Sequence, residues 1–151
     1  MTRSEVGAAR REVFAQLTHA GLVPDPDLAI EIADFGLGHY AQEGLGLVVR
    51  VNEPEYCSKW LTLSPGQSCP RHYHRLKKET FFVLKGEVEL EADGEVIHLA
   101  PGQRFTILPG VRHAFSSRAG AVIEEVSTHD ENSDSYFDNP AVIRDPIIEG
   151  D

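Results

Sequence analysis

Nine short segments rich in β-branched and aromatic residues follow one another between residues 45 and 127. Turn residues, chiefly Gly, Pro, Asp and Asn, separate successive segments. This pattern predicts short strands joined by tight turns, and therefore a β-sandwich or barrel. The predicted strands are 45–51, 56–63, 71–74, 80–84, 87–91, 95–99, 103–108, 113–116 and 121–127.

The clearest hairpin in this series joins the predicted strands 87–91 and 95–99. Asp93-Gly94 lies between them. Both residue types tolerate the positive φ angles of a type I′ turn, which matches the twist of a two-stranded hairpin. We therefore expect these two strands to be antiparallel neighbours.

The chain before the strands predicts a helix. Four apolar residues recur between residues 4 and 20 at helical spacing: Val6, Ala9, Val13 and Leu17. Gly21 follows as a stop signal, and a second helical or irregular piece is expected at 28–33. We expect one domain over residues 1–151, with a helical N-terminal segment at 1–33, a barrel core at 45–127 and a C-terminal tail at 128–151.

Composition argues against several classes of function. The 24 acidic residues against 14 basic ones give a net charge of −10, which repels phosphate backbones and anionic lipids, so neither nucleic acid nor membrane is an expected partner. No apolar run is long enough to cross a bilayer, and the N-terminus lacks the apolar stretch of a signal peptide, so a cytoplasmic location is expected. Cys57 and Cys69 belong to no C-x-x-C pair and are expected to be reduced, structural thiols.

Two histidines and a glutamate form a pattern typical of metal ligands. His72 and His74 are two residues apart on a predicted strand, so both imidazoles point to the same face. Glu79 begins the next strand, on an otherwise apolar face. Burying a carboxylate and imidazoles among apolar side chains is costly unless a cation or hydrogen-bond partners compensate. We therefore expect a metal site at His72, His74 and Glu79, completed by His113 after the turn at Pro109-Gly110.

The metal hypothesis depends on the convergence of four residues, because a single inward histidine is more often a hydrogen-bonded core residue. His19, His39 and His98 have no such partners and are expected on a helix surface, in a loop and on a hairpin face, respectively. His129 lies in a polar segment, and its role is left open. Three nitrogen ligands and one carboxylate suit Mn, Fe, Co, Ni or Zn and leave coordination positions for substrate oxygens. The glutamate favours an octahedral ion.

These spacings resemble the two sequence motifs of the cupin superfamily. The segments are Gly66-x5-His72-x-His74-x4-Glu79-x6-Gly86 and Gly102-x7-Gly110-x2-His113. In the second, Pro109 directly precedes Gly110 rather than standing two residues before it, and Ser117 stands where the family often has Asn. Neither departure removes a ligand. The resemblance implies a mainly β fold, the cupin double-stranded antiparallel β-barrel or jelly roll with an N-terminal helix, and a metal in its mouth.

Further polar residues are candidates for chemistry beside the metal. Alternation in the strand 56–63 places Lys59 on the apolar face, where it is either a functional cation that stabilises a bound anion or a side chain that reaches the barrel rim. We favour the functional cation. In the strand 121–127 apolar residues fall on both faces, so alternation does not decide whether Glu124 or Glu125 faces inward.

A narrower resemblance covers nearly the whole chain. It is carried by Asp34-Phe35-Gly36-Leu37-Gly38, Tyr56-Cys57-Ser58-Lys59, His72-Tyr73-His74, Lys78-Glu79-Thr80-Phe81 and Glu125 with Ser127-Thr128, all of which look like the D-lyxose ketol-isomerases. This family implies a homodimeric, manganese-dependent cupin without an organic cofactor. Its monosaccharide reactions are typically the interconversion of D-lyxose with D-xylulose and of D-mannose with D-fructose.

The family motifs imply metal ligands at His72, His74, Glu79 and His113, a site lysine at Lys59 and a site carboxylate at Glu125. Aldose–ketose isomerisation moves a proton between C1 and C2 of the sugar through an enediol, which a metal and a nearby carboxylate can promote. Glu125 would carry the proton and Lys59 would stabilise the anion. The alternatives are an iron-dependent cupin dioxygenase and a non-catalytic cupin that binds a metal or a sugar.

Overall fold

The computed structural model describes residues 1–144 and consists of two facing antiparallel β-sheets with a helix on the outside of the larger one. The helix is α1 (Arg3–His19). The larger sheet contains β1 (Glu31–Ala33), β2 (Leu45–Asn52), β3 (Cys57–Leu63), β5 (Glu79–Gly86), β8 (Arg104–Ile107) and β10 (Ala121–Ser127), in the order β1-β2-β3-β10-β5-β8. The smaller contains β4 (Gln67–Tyr73), β6 (Val88–Ala92), β7 (Glu95–Leu99), β9 (His113–Ser117) and β11 (Tyr136–Phe137), in the order β11-β4-β9-β6-β7.

The predicted mainly β, jelly-roll fold is confirmed. Each of the nine predicted strands is present, although β4 begins at Gln67 rather than at Arg71. The hairpin of β6 and β7 turns at Asp93 and Gly94, which have φ angles of 48° and 85°. These left-handed conformations are those that a type I′ turn requires.

The prediction of a helical segment over 1–33 is correct only as far as His19. Glu31–Ala33 forms a strand instead, antiparallel to Leu45–Leu47 of β2. Pro24 and Pro26 prevent the helix from continuing, and the three residues Glu31–Ala33 pair with β2, whereas a short isolated helical turn would be only marginally stable. The predicted tail at 128–151 contains a 3₁₀ turn (Asn132–Asp134) and β11, and its part beyond residue 144 lies outside the described residues.

Helix α1 begins with a capping box, in which the Thr2 hydroxyl accepts from the Glu5 N–H and the Glu5 carboxylate accepts from the Thr2 N–H. The four predicted apolar residues form its buried face. Val13 and Leu17 pack on Val48, Trp60 and Val122 on the outer face of the larger sheet. This outer face is therefore largely covered by the chain's own helix, and neither α1 nor the 3₁₀ turn is long and apolar enough to cross a membrane.

Gly86 closes β5 at a position that only glycine fits. Its φ is +78°, and a Cβ there would lie 2.1 Å from the carbonyl oxygen of Gly120. Gly94 has a similar φ of +85°, but a Cβ there would meet nothing within 4 Å. The two glycines therefore separate the effect of backbone conformation from that of a steric clash.

We expect Gly86→Ala to lower the free energy of unfolding by about 3 kcal/mol or more, and Gly94→Ala by only about 1 kcal/mol, the ordinary cost of a left-handed alanine. The larger effect reflects the backbone shift that the Gly120 carbonyl would have to make. Urea denaturation of both variants with the same metal content measures the difference. Equal losses in the two variants would contradict the proposed clash.

Candidate metal centre and active site

Three buried histidines meet between the two sheets. His72 on β4 is the direct cross-strand partner of His113 on β9, and His74 follows the end of β4. Their exposed fractions are 7%, 0% and 5% for His72, His113 and His74. One ring nitrogen of each lies within 4.8 Å of those of the other two. The structure thus brings together the three histidines that the sequence predicted as ligands.

Each of these imidazoles is oriented by a backbone carbonyl. The Nδ1 atoms of His72, His74 and His113 lie 2.8, 3.0 and 3.0 Å from the carbonyl oxygens of Pro70, Asp134 and Val111, respectively. A carbonyl oxygen only accepts, so Nδ1 carries the proton and the Nε2 lone pair is left for another partner. Metal-binding histidines are held in the same way. Burial and the other two histidines lower the pKa of His72 well below its usual range, which favours the neutral ring.

Glu79 joins the histidines from the opposite sheet. It begins β5, is 1% exposed, and its Oε1 lies 3.0 Å from His113 Nε2 and 3.5 Å from His74 Nε2. Within residues 1–144, Glu79 Oε1 and His113 Nε2 make no hydrogen bond, and Glu79 Oε2 makes none of good geometry, although it forms an ion pair with Lys77. Buried polar atoms are rarely left unsatisfied, and a divalent cation would satisfy all of these lone pairs at once. The residues therefore fit a divalent metal ion.

Glu125 lies beside this donor set. In the larger sheet it pairs with Lys59 on β3 and with Phe81 on β5, which places it in the same row of side chains. It is 5% exposed, whereas Glu124 points away from the core and pairs with the exposed Arg50 at 3.4 Å. Glu125, and not Glu124, is therefore the glutamate of this strand that faces inward. Burial and the neighbouring Glu79 carboxylate raise the pKa of Glu125.

Lys59 points inward, as predicted, but its partner is a residue that the sequence did not single out. Its Nζ lies 2.8 Å from Oδ2 of the buried Asp130. Oδ1 of Asp130 lies 2.9 Å from Nζ of Lys77, and Arg144 Nη2 lies 3.1 Å from Oδ2. One carboxylate therefore connects two buried ammonium groups and a guanidinium. These cations, together with Asn52, which accepts from the Asp130 N–H at 3.1 Å, hold Asp130 in place.

Lys77 is the main functional candidate that the sequence reasoning missed. It lies in the loop between His74 and Glu79, is 3% exposed, and places Nζ 3.1 Å from Glu79 Oε2 and 3.4 Å from Glu125 Oε2. Burial alone would lower the pKa of Lys77, but the carboxylates of Glu125, Glu79 and Asp130 outweigh it and raise that pKa. Its position three residues after His74, between two candidate ligands, was the signal that could have identified it.

A cavity of about 320 Å³ opens onto this group. Its polar lining includes His72, His74, Glu79, Lys59, Lys77 and Glu125. Leu61, Phe81 and Phe115 add apolar surface, and the cavity extends as far as Arg10 of α1 and Glu31 of β1. His113, which is fully buried, contributes no lining surface. The arrangement offers a bound molecule metal ligands, one further carboxylate and two ammonium groups in a single cavity.

The remaining histidines lie outside the cluster. His19, His39 and His98 are exposed, and His39 pairs with Glu43 at 2.9 Å. His129 is partly exposed, with Nδ1 2.9 Å from the Glu53 carbonyl oxygen and Nε2 3.3 Å from Glu131. His129 therefore lies at the surface near Glu53 and not in the histidine cluster. Cys57 and Cys69 are buried and free, as expected, and burial raises the pKa of both thiols.

Comparison with known proteins gives two family matches. The model of the cupin domain matches residues 59–124, and that of D-lyxose isomerase matches residues 9–90. The chain is 34% identical to a D-lyxose/D-mannose isomerase of Thermosediminibacter oceani, with 99% of each chain covered. It is 36% identical to a D-lyxose ketol-isomerase of Cohnella laeviribosi, with all of both chains covered. The chain belongs to the D-lyxose isomerase family.

Membership of the D-lyxose isomerase family confirms the predicted cupin isomerase class and favours it over the dioxygenase and the non-catalytic binding protein. The alignments run over 179 and 181 positions against 151 residues here, so these relatives carry segments that this chain lacks. Among solved structures, L-ribose isomerase of Acinetobacter sp. DL28 has a TM-score of 0.83 at 18% identity, with 94% of each chain covered. That of Cellulomonas parahominis without ligand scores 0.82 at 18% identity, with 93% of this chain and 94% of its own covered. Both support the fold.

Proposed function

We propose that this chain interconverts D-lyxose with D-xylulose and D-mannose with D-fructose, with Mn²⁺ as its metal. The two aldoses come from the names of the two relatives, each of which aligns along its full length, and the two ketoses are the 2-keto isomers of these aldoses. The observation that carries the proposal is the buried Glu125 carboxylate in the cavity wall beside three histidines and Glu79. A base next to a metal site is what an isomerase needs, whereas a binding protein has no use for it.

In the proposed site His72, His74, His113 and Glu79 hold the metal ion. A ligand set of imidazole nitrogens and a carboxylate, without thiolate, is compatible with Mn²⁺. When bound, the ion supplies Lewis acidity that polarises sugar oxygens and makes the C2 proton more acidic. The backbone carbonyl partners of the three histidines already orient their rings for this role.

Glu125 takes the C2 proton of the aldose and returns it to C1, while the proton of the O2 hydroxyl passes to O1. Its burial and raised pKa suit a group that must both accept and release a proton near neutral pH. Lys77 lies 3.4 Å from Glu125 and stabilises negative charge on the sugar oxygens during the transfer. The Lys59 ammonium group on the neighbouring strand β3 contributes to the same stabilisation of negative charge. Asp130 holds the ammonium groups of Lys59 and Lys77 in position.

The charges around the site suit a neutral sugar. Lys59, Lys77 and Arg144 are each paired with a carboxylate, so none of the three is left free for a phosphate group. We therefore place sugar phosphates outside the substrate range. Mannose 6-phosphate is the matched probe, because it differs from D-mannose only in its phosphate group, for which these paired cations offer no free partner.

The substrate proposal is tested by stripping the protein with a chelator, reloading it separately with Mn, Co, Fe, Ni and Zn, and measuring ketose formation from four sugars. D-Lyxose and D-mannose should give the highest kcat/KM, with Mn²⁺ as the best metal, and D-ribose and mannose 6-phosphate should react at least about tenfold more slowly. Preference for the phosphorylated sugar would overturn the substrate assignment, and a stronger response to another metal would overturn Mn²⁺.

We further propose one domain over residues 1–151, a homodimer and a cytoplasmic location. The homodimer follows from the family resemblance, and the exposed Leu76, Leu108 and Val126 supply apolar surface for it. Sedimentation velocity at micromolar concentration should give twice the mass of 16.7 kDa. A single species at the mass of one chain would contradict the homodimer.

We expect Lys77→Met and Lys59→Met each to lower kcat by about ten- to a hundredfold, because each removes an ammonium group that stabilises developing negative charge. Metal content should stay at one ion per chain, since neither lysine is a ligand. Lys78→Met is the matched control, because Lys78 is exposed next to the same loop, and its kcat should match that of the unmodified protein. Normal kinetics in Lys59→Met would instead make Lys59 a residue of the cavity rim.

A further inference from the structure

The loop that separates His74 from Glu79 is held by one distant carboxylate. Oδ1 of Asp134 accepts hydrogen bonds from the N–H groups of Arg75 at 2.9 Å and Leu76 at 3.2 Å. Oδ2 accepts from the N–H groups of Leu76 at 3.2 Å and Lys77 at 3.0 Å. Three successive backbone donors of the loop are thus satisfied by a single side chain. Such charge-assisted hydrogen bonds are stronger than those between neutral groups.

Asp134 also contacts the metal site through its backbone. Its carbonyl oxygen accepts from His74 Nδ1 at 3.0 Å, and the residue is only 6% exposed. Tyr136, two residues further on, lies in β11 opposite Tyr73 of β4, and the two rings stack at 5.1 Å. The 3₁₀ turn that carries Asp134 is therefore fixed to the strand that carries His72. The Asp134 carboxylate is therefore held at a fixed position relative to the loop.

The only side chain of this loop that enters the site is that of Lys77, among residues 75–78. Its Nζ meets Glu79, Glu125 and Asp130 at 3.1, 3.4 and 2.9 Å. That placement requires the Lys77 backbone to stay where Asp134 holds it. A lysine side chain has many rotamers, so a loop that moved by about an ångström would lose the charged contacts on which catalysis depends.

We propose that Asp134 is a positioning residue of the isomerase, which acts by fixing the 75–77 backbone so that Lys77 faces Glu125 and the sugar. The inference rests on the proposed function, since it assigns Lys77 a part in the reaction. The role requires both carboxylate oxygens. An asparagine would supply one acceptor oxygen and would turn an NH₂ group toward the remaining N–H donors.

The ends of the loop have anchors of their own. The Lys78 N–H donates to Thr128 Oγ1 at 3.1 Å, and the Gly110 N–H donates to the His74 carbonyl oxygen at 2.7 Å. These contacts do not involve the Asp134 side chain. Its loss should therefore release the middle of the loop while His74 and Glu79 keep their places, which separates a positioning effect from a loss of the metal site.

The first test compares Asp134→Ala and Asp134→Asn with the unmodified protein. Both variants should bind one metal ion per chain, lower kcat about tenfold or more, and change KM by less than about threefold. Asp134→Asn nearly preserves the side-chain volume and serves if Asp134→Ala fails to fold. Glu131→Ala, a change of an exposed acidic residue in the same segment, should leave kcat unchanged. Loss of the metal from both variants would overturn the positioning role.

The second test asks whether Asp134 acts through Lys77. In a double-mutant cycle, Asp134→Ala added to Lys77→Met should lower kcat by less than about twofold, because the group that it positions is already gone. A full tenfold loss on that background would overturn the inference.

Hydrogen exchange of the metal-free protein provides a readout apart from activity. The amides of residues 75–77 should exchange faster in Asp134→Ala than in the unmodified protein, while those of β4 and β5 stay unchanged. Unmodified protein that forms no ketose would overturn the proposed function and with it the role of Asp134. Active unmodified protein with an equally active Asp134→Ala would overturn the positioning role alone.

Discussion

Glu125→Gln is expected to lower kcat by about a hundredfold or more while the protein still binds one metal ion per chain. Glutamine has nearly the shape of glutamate but cannot accept a proton, and general acid–base groups typically contribute about 10²- to 10⁴-fold. The variant should also remain folded, because Lys77 and Lys59 keep Asp130 as a partner. Turnover of D-lyxose at saturation, together with metal analysis by mass spectrometry, measures both quantities.

Glu124→Gln is the matched control for this prediction. Glu124 is the preceding residue on the same strand, faces away from the cavity and pairs only with the exposed Arg50 within residues 1–144. Its replacement should change kcat by less than about twofold. Turnover in Glu125→Gln equal to that of Glu124→Gln would show that Glu125 is not the proton carrier.

His113→Ala is expected to abolish turnover by removing the metal. His113 is completely buried, and its Nε2 makes no hydrogen bond within the described part of the chain. We therefore expect this nitrogen to bind the cation. Added Mn²⁺ should raise the melting temperature of the unmodified protein, because a ligand that binds only the folded state stabilises it. At a free ligand concentration of one hundred times Kd, the free energy of unfolding rises by about 2.7 kcal/mol. The variant should lack this shift.

His98→Ala provides the comparison, since His98 is exposed on the hairpin of β6 and β7. It should retain both the metal-dependent melting shift and full turnover. Stoichiometric metal binding and normal kinetics in His113→Ala would contradict the assignment of the metal ligands.

Strand periodicity was sufficient to predict the barrel and most of the candidate ligands. His72 and His74 alternate with an outward Tyr73. Lys59 shares its face of β3 with the buried residues Cys57, Leu61 and Leu63, so a period of two was informative at both places. The same rule failed at β10. That strand is covered on both faces, because Val122 packs under α1 while Ile123 lies in the core between the sheets. A strand buried on both sides shows no alternation that could identify Glu125.

Asp130 and Asp134 could not be predicted, and Lys77 was missed, for a different reason. They lie in loops or in a 3₁₀ turn, where no periodicity relates sequence position to side-chain direction. The hydrogen bonds from Leu76 and Lys77 to Glu125, Asp130 and Asp134 join residues that are 48 to 58 positions apart in the chain. Their polar composition is equally typical of solvent-exposed loops. Only the tertiary structure shows that this segment folds back over the loop between two ligands.

We propose that this protein moves a proton between C1 and C2 of an unphosphorylated aldose, with Glu125 beside the metal as the proton carrier. The most direct measurement follows D-lyxose labelled with ¹³C at C1 by NMR, with protein loaded to one Mn²⁺ per chain. The anomeric C1 signal should decay as the CH₂OH signal of D-xylulose appears, and both changes should stop when a chelator removes the metal. A persistent anomeric signal, with one metal ion confirmed per chain, would contradict this proposal.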